Sequence, residues 1–108
     1  MPVGLELELA IAHLVNTDPD WANVIRASVE WSAALKEQGA AVQFTRENLY
    51  YRLVRARGEG PKLTPLVKAG VLQHAWTNSR GKPYYELAQD PQTILRALSR
   101  AVGKASTV

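Results

Sequence analysis

The chain has 108 residues, one domain's length, and 46% of them are apolar, with Trp21, Trp31 and Trp76 adding large area to bury, enough for a core of its own. No run of ~18 apolar residues occurs, so no membrane-spanning helix is expected, and the lack of cysteine excludes disulfides, thiolate metal sites and cysteine nucleophiles. The net charge of +3 is unevenly spread: residues 1–43 set six acids against Arg26 and Lys36 (net −4), whereas residues 44–85 set eight bases against Glu47 and Glu59 (net +6). A basic stretch confined to one segment is the electrostatic footprint that a polyanion requires, although such residues more often serve only to solvate a face. Glu6 and Glu8 stand where a secretion signal carries positive charge, which points to a cytoplasmic protein.

Residues 4–15 open with alternation, Leu5, Leu7 and Leu9 against Glu6 and Glu8, which alone suggests a strand. From Leu7 onward, Leu7, Ala10, Ile11, Leu14 and Val15 also trace a helical stripe, and the Leu, Glu and Ala content favours helix. A helix is predicted, with both acids solvated and His13 a structural or surface residue at the stripe's edge. Asp18 then caps a second helix whose first position suits Pro19, running to about Gln38 with Gly39 as its stop. Trp21, Val24, Ile25, Ser28, Trp31 or Ser32, and Leu35 form its buried stripe, the tryptophans serving the core or a dimer interface.

Residues 40–44 read as a short link able to pair, as a small strand, with a ribbon further on. Thr45 caps a third helix over residues 46–57, with Glu47 near its positive end. Leu49, Leu53 and Ala56 share one line, Tyr50 and Val54 the next, and Arg46, Arg52, Arg55 and Arg57 spread over the remainder. Residues 58–61 make a turn by composition. Residues 62–69 form a short helix closed by Gly70, with Leu63, Leu66 and Val67 inward. Pro65 leaves two starts open: Pro61, in which case Pro65 removes an internal hydrogen bond, or Thr64 as cap with Pro65 the first helical residue.

Residues 71–77 and 84–88 alternate and are rich in β-branched and aromatic side chains, and residues 78–83 have turn chemistry throughout, so a hairpin is predicted. Alternation places Leu72, His74 and Trp76 on one face of the first strand. On the second it turns Tyr85 and Leu87 inward and Tyr84 and Glu86 outward. Asp90 and Pro91 open a last helix with Ile94, Leu95, Leu98 and Val102 as its stripe, and Gly103 onward is a polar tail expected to fray.

The run Leu66-Val67-Lys68-Ala69-Gly70-Val71-Leu72, followed by Arg80-Gly81-Lys82-Pro83-Tyr84-Tyr85-Glu86-Leu87, resembles the recognition-helix end and the wing of winged helix-turn-helix regulators. The resemblance covers about residues 44–88. It implies an α+β, mostly α fold: one winged-helix domain with N-terminal helices in residues 4–40, the helix-turn-helix and wing in 44–88, and a C-terminal helix in 89–103. It also implies a non-catalytic, duplex-DNA-binding transcription regulator of prokaryotic type, working as a homodimer, with no cofactor and no metal. The helix at 61–69 would lie in the major groove, and the basic wing tip at 78–83 on the backbone or minor groove. Carried over by position, Lys62, Thr64 and Lys68 face the bases, Arg80 and Lys82 are the wing contacts, and Thr45 and Arg46 touch phosphate. Tyr51 and Arg52 belong to the same DNA-facing set. The short helix has no Arg, Asn or Gln, the side chains that read bases bidentately, so backbone and shape binding is expected over base reading.

Two other readings remain. One is a winged helix used for protein interaction, as an accessory module of a replication, phage or transcription complex. The other rests on residues 46–53, which faintly resemble the tyrosine-bearing segment of topoisomerase VI type A subunits, where a tyrosine attacks DNA phosphate. That enzyme also uses an acidic metal-binding domain, and no His, Asp and Glu cluster here has metal-ligand spacing. Catalysis is therefore not expected, and Tyr50 reads as core.

Overall fold

The computed structural model describes residues 3–53 and 60–106. These form, in order, α1 (Val3–Thr17), α2 (Asp20–Glu37), α3 (Arg46–Arg52), α4 (Thr64–Ala69), β1 (Leu72–Thr77), β2 (Pro83–Leu87) and α5 (Pro91–Ser106). The class is α+β and mostly α, with a two-stranded antiparallel sheet.

In α1 the helical stripe prevails over the alternating start. Leu7, Ile11 and Val15 are buried at four-residue spacing, facing the buried Ile94, Ala97, Leu98 and Ala101 of α5. Two expectations fail on this pair. Glu8 is buried rather than solvated. The tail does not fray at Gly103, because α5 runs on to Ser106; a single glycine weakens a helix by ~1 kcal/mol without breaking it.

Asp18 Oδ1 accepts the Asp20 amide at 3.0 Å, and α2 begins there, with Pro19 at the cap position. Trp21, Val24 and Ile25 are buried, and so are Ser28 and Ser32. The two hydroxyls are satisfied by donating to the carbonyls of Val24 (2.9 Å) and Ser28 (2.8 Å). Beyond α2 the link reaches Phe44, which exchanges both backbone hydrogen bonds with Tyr85 at 2.9 and 2.8 Å. The predicted small strand is thus a single bridge on the free edge of β2.

Thr45 and Asn48 cap α3 reciprocally: Thr45 Oγ1 accepts the Asn48 amide at 3.2 Å, and Asn48 Oδ1 accepts the Thr45 amide at 3.4 Å. α3 ends at Arg52 with Leu53 at its C-cap, shorter than the predicted span. The rest of that span, with Val54, Arg55, Ala56 and Arg57, lies outside the described residues, as do Gly58 and Glu59 of the turn. Neither predicted start of α4 is the one adopted. Leu63 holds the cap position, Thr64 begins the helix and Pro65 falls in the first turn. Amides there have no internal partner, so the missing N–H removes nothing. Gly70 ends α4 at φ 85°, and the Val71 amide returns to the Leu66 carbonyl at 3.0 Å.

The hairpin departs from simple alternation at one place. His74 pairs with Tyr85, but Trp76 pairs with Tyr84, so Ala75 is an extra residue in β1. The bulge turns Trp76 onto the face of Gln73, Tyr84 and Glu86, away from Leu72 and His74. Trp76 is consequently no core residue: it is 46% exposed and stacks on Tyr84 with ring centroids 4.4 Å apart. Asn78 organises the turn, its Oδ1 accepting the amides of Arg80 (2.9 Å) and Lys82 (3.0 Å). No helix among the described residues is long and apolar enough to cross a membrane.

Candidate nucleic-acid interface

The inner face of the ribbon looks toward the starts of α3 and α4. An open cleft of about 220 Å³ lies between them, lined by Arg46 and Glu47, by Lys62, Leu63 and Thr64, and by Pro83 and Tyr85. Tyr50 fixes one wall of it. Its ring is wholly buried, its hydroxyl donates to the Pro61 carbonyl at 2.6 Å, and its ring lies against Gly60. A Cβ at Gly60 would stand 2.7 Å from the ring carbons, so only glycine lets the chain pass this close. Burial pushes the Tyr50 hydroxyl up from 10.0 to about 12, with the nearby Arg46 charge opposing the rise. The result is that the chain entering α4 is clamped to α3, and Lys62 is delivered to the same opening as Arg46.

The charges in this opening are linked by one acid. Glu47 Oε2 lies 3.7 Å from Lys82 Nζ, and Glu47 Oε1 lies 3.6 Å from Arg46 Nη2. The first contact ties the ribbon's basic end to the start of α3. Both pairs face solvent and hold their partners weakly.

Of the DNA-facing set expected from sequence, Arg46, Lys62 and Thr64 meet in the cleft, and Lys82 joins them through Glu47. Lys68 is exposed one helical turn beyond Thr64 on the same side of α4, where it borders a shallow depression with Glu6, Ala10 and Gln89. Arg80 is exposed at the tip of the turn. Three residues depart from expectation. Thr45 is 3% exposed and its hydroxyl oxygen is engaged at the cap, so it cannot reach a phosphate. Tyr51 and Arg52 are rotated from Arg46 by roughly 140° and 120° in opposite senses about α3, away from the cleft. Tyr51 is exposed there, and the Arg52 guanidinium sits 4.9 Å over the Trp31 ring on acidic α2.

One further feature was half legible, the outward pair of Trp76 and Tyr84: alternation turns Tyr84 outward, but Trp76 joins it only through a bulge that alternation does not reveal. Among the described residues, no three His, Cys, Asp or Glu side chains gather to hold a metal. Compared with known proteins, the chain matches no protein-family model, no curated protein and no solved structure.

Proposed function

We propose that the chain is a winged helix-turn-helix protein that binds duplex DNA without catalysis, acting as a homodimeric transcription regulator. The observation that carries this reading is the convergence of Arg46 and Lys62 with Lys82 around the cleft between α3, α4 and the ribbon, with Lys68 and Arg80 on either side. α4 offers Thr64 and Lys68 outward, and the ~12 Å major groove admits a helix. Its outward side chains suit phosphates better than base edges, so the proposed binding tracks backbone and shape. Tyr50 supports the non-catalytic part, since a buried hydroxyl already donating to a carbonyl and held up to about 12 is a poor nucleophile.

A salt titration with random-sequence duplex tests the reading. About five neutralised phosphates give a slope on the order of −4 to −5 in log affinity against log salt, and Arg46→Ala or Lys62→Ala each reduces it by about one. A flat response ends the DNA reading. A protein-interaction module is the second reading, favoured by the absence of Arg, Asn and Gln from α4. Stoichiometric retention of one partner protein with no DNA retained would replace the first reading by the second.

A further inference from the structure

The face of the ribbon turned away from the cleft carries its own chemistry. Leu9, Tyr51 and Trp76 are the exposed large hydrophobic residues among those described. Trp76 is held in place by a chain of polar contacts. Its Nε1 donates to Gln43 Oε1 at 2.8 Å, Gln43 Nε2 donates to Glu86 Oε1 at 3.1 Å, and Gln73 Nε2 donates to Glu86 Oε2 at 2.6 Å. The indole is therefore oriented before anything binds, and little ordering entropy remains to be lost. Tyr84 covers one side of it in a parallel stack, 6° from coplanar, and the residue remains 46% exposed. Glu86, the acid on this face, is engaged by two amides. The next charges along the chain are the cations Arg80 and Lys82 of the turn.

We propose that Trp76 stacks an unpaired nucleobase on this outer face while Arg80 meets the adjoining phosphates, so that the chain recognises a junction between duplex and single strand. The proposal rests on the DNA-binding reading above and adds to it what is selected: structure rather than sequence. An open aromatic face beside cations is what single strands require, because every base has a π-face. In intact duplex the bases already stack on each other and cannot reach it. A protein partner fits less well, because a protein hot spot needs a rim that shields it from water, and this ring is bordered by the Gln43 amide with the Glu86 carboxylate behind it.

The test compares a labelled blunt duplex with the same duplex bearing an unpaired oligothymidine tail, by fluorescence anisotropy. The tailed form should bind tighter by ~5- to ~150-fold, the affinity equivalent of one stacked base. Trp76→Ala should abolish that preference and leave blunt-duplex affinity unchanged, while Trp76→Phe keeps part of it. Gln43→Ala, which frees the indole without removing it, should lower the preference and serves if Trp76→Ala does not fold. Equal affinity for the two duplexes overturns the proposal and leaves the duplex reading standing. So does a Trp76→Ala effect of equal size on both, which would make the ring a mere support of the hairpin. A Trp76→Ala variant that loses self-association in sedimentation yet keeps the tail preference assigns the face to a second copy instead. Failure to bind either duplex overturns both readings together.

Discussion

Tyr50 and Glu47 act on the cleft in opposite senses. Tyr50 builds it. Replacing it by Phe removes the 2.6 Å hydrogen bond to Pro61 and should cost about 1 kcal/mol, measured by urea unfolding. The same variant has a pH signature. The hydroxyl ionises at its ordinary 10.0 in the unfolded chain and at about 12 in the folded one, so the folded state keeps its proton longer. Its stabilising contribution is intact below pH 10.0 and is lost as pH rises from there through about 12. Wild type should weaken over that window more than Tyr50→Phe does. Gly60→Ala drives a methyl into the ring at 2.7 Å and should destabilise by about 1–3 kcal/mol. Glu47, in contrast, holds two of the cations that a phosphate would take. Glu47→Gln should tighten duplex binding by about twofold to fivefold, equivalent to ~0.5–1 kcal/mol for weak pairs released. Thr45 shows what sequence reading confuses at this scale. Its cap was legible from a threonine followed by Glu47 in the first turn, but the same hydroxyl cannot also serve a phosphate once the cap is buried.

At the scale of elements, legibility follows how local the cause is. Caps and stops depend on a few neighbouring residues, so Thr45, Gly70 and Asp90 marked true ends, while α2 starts one residue later than expected, with Pro19 and not Asp18 at the cap position. Gly70→Ala tests such an end. The new methyl would meet only Leu7 Cδ1 at 3.9 Å, so the penalty of about 1–2 kcal/mol should come from the backbone at φ 85° and not from crowding. A thermal melt of the variant reads it. The hairpin was equally plain from its turn, because Asn78 and Gly81 specify it locally. The facing of its side chains was only half legible: Leu72, His74, Tyr85 and Leu87 follow alternation up to the bulge, and Trp76 beyond it does not. A bulge is a property of two strands in register, which one strand's pattern does not contain.

Over the whole molecule, the basic segment of residues 44–85 and the acidic segment of 1–43 were apparent as a charge imbalance, and the cleft lies within the basic part. Of the cations expected to face DNA, Arg46, Lys62 and Lys82 converge and Arg52 does not. Arg46, Lys62 and Lys82 come together because Tyr50 clamps Pro61 and Glu47 draws in the ribbon tip, whereas Arg52 is carried round α3 toward Trp31. The proposed homodimer has a measurable counterpart at this scale. If two copies share one duplex, about ten phosphates are neutralised, and the salt slope should approach −9 where a single copy gives about half that. Sedimentation of the free chain should then report twice the monomer mass. A monomer with the smaller slope would remove the dimer and leave the cleft's role intact.

The surplus position in β1 has one more consequence. Ala75 contributes almost nothing by its own side chain, and because the ladder skips it, every residue after it faces as it would if Ala75 were absent. Omitting it would match the five residues of β2 with five in β1, keep His74 beside Tyr85 and Trp76 beside Tyr84, and remove only the local twist that the bulge adds. The outer surface would keep its stacked pair, and tryptophan emission at unchanged wavelength would register an indole still facing water, whereas a shift to shorter wavelength would show that the strands had slipped to another register.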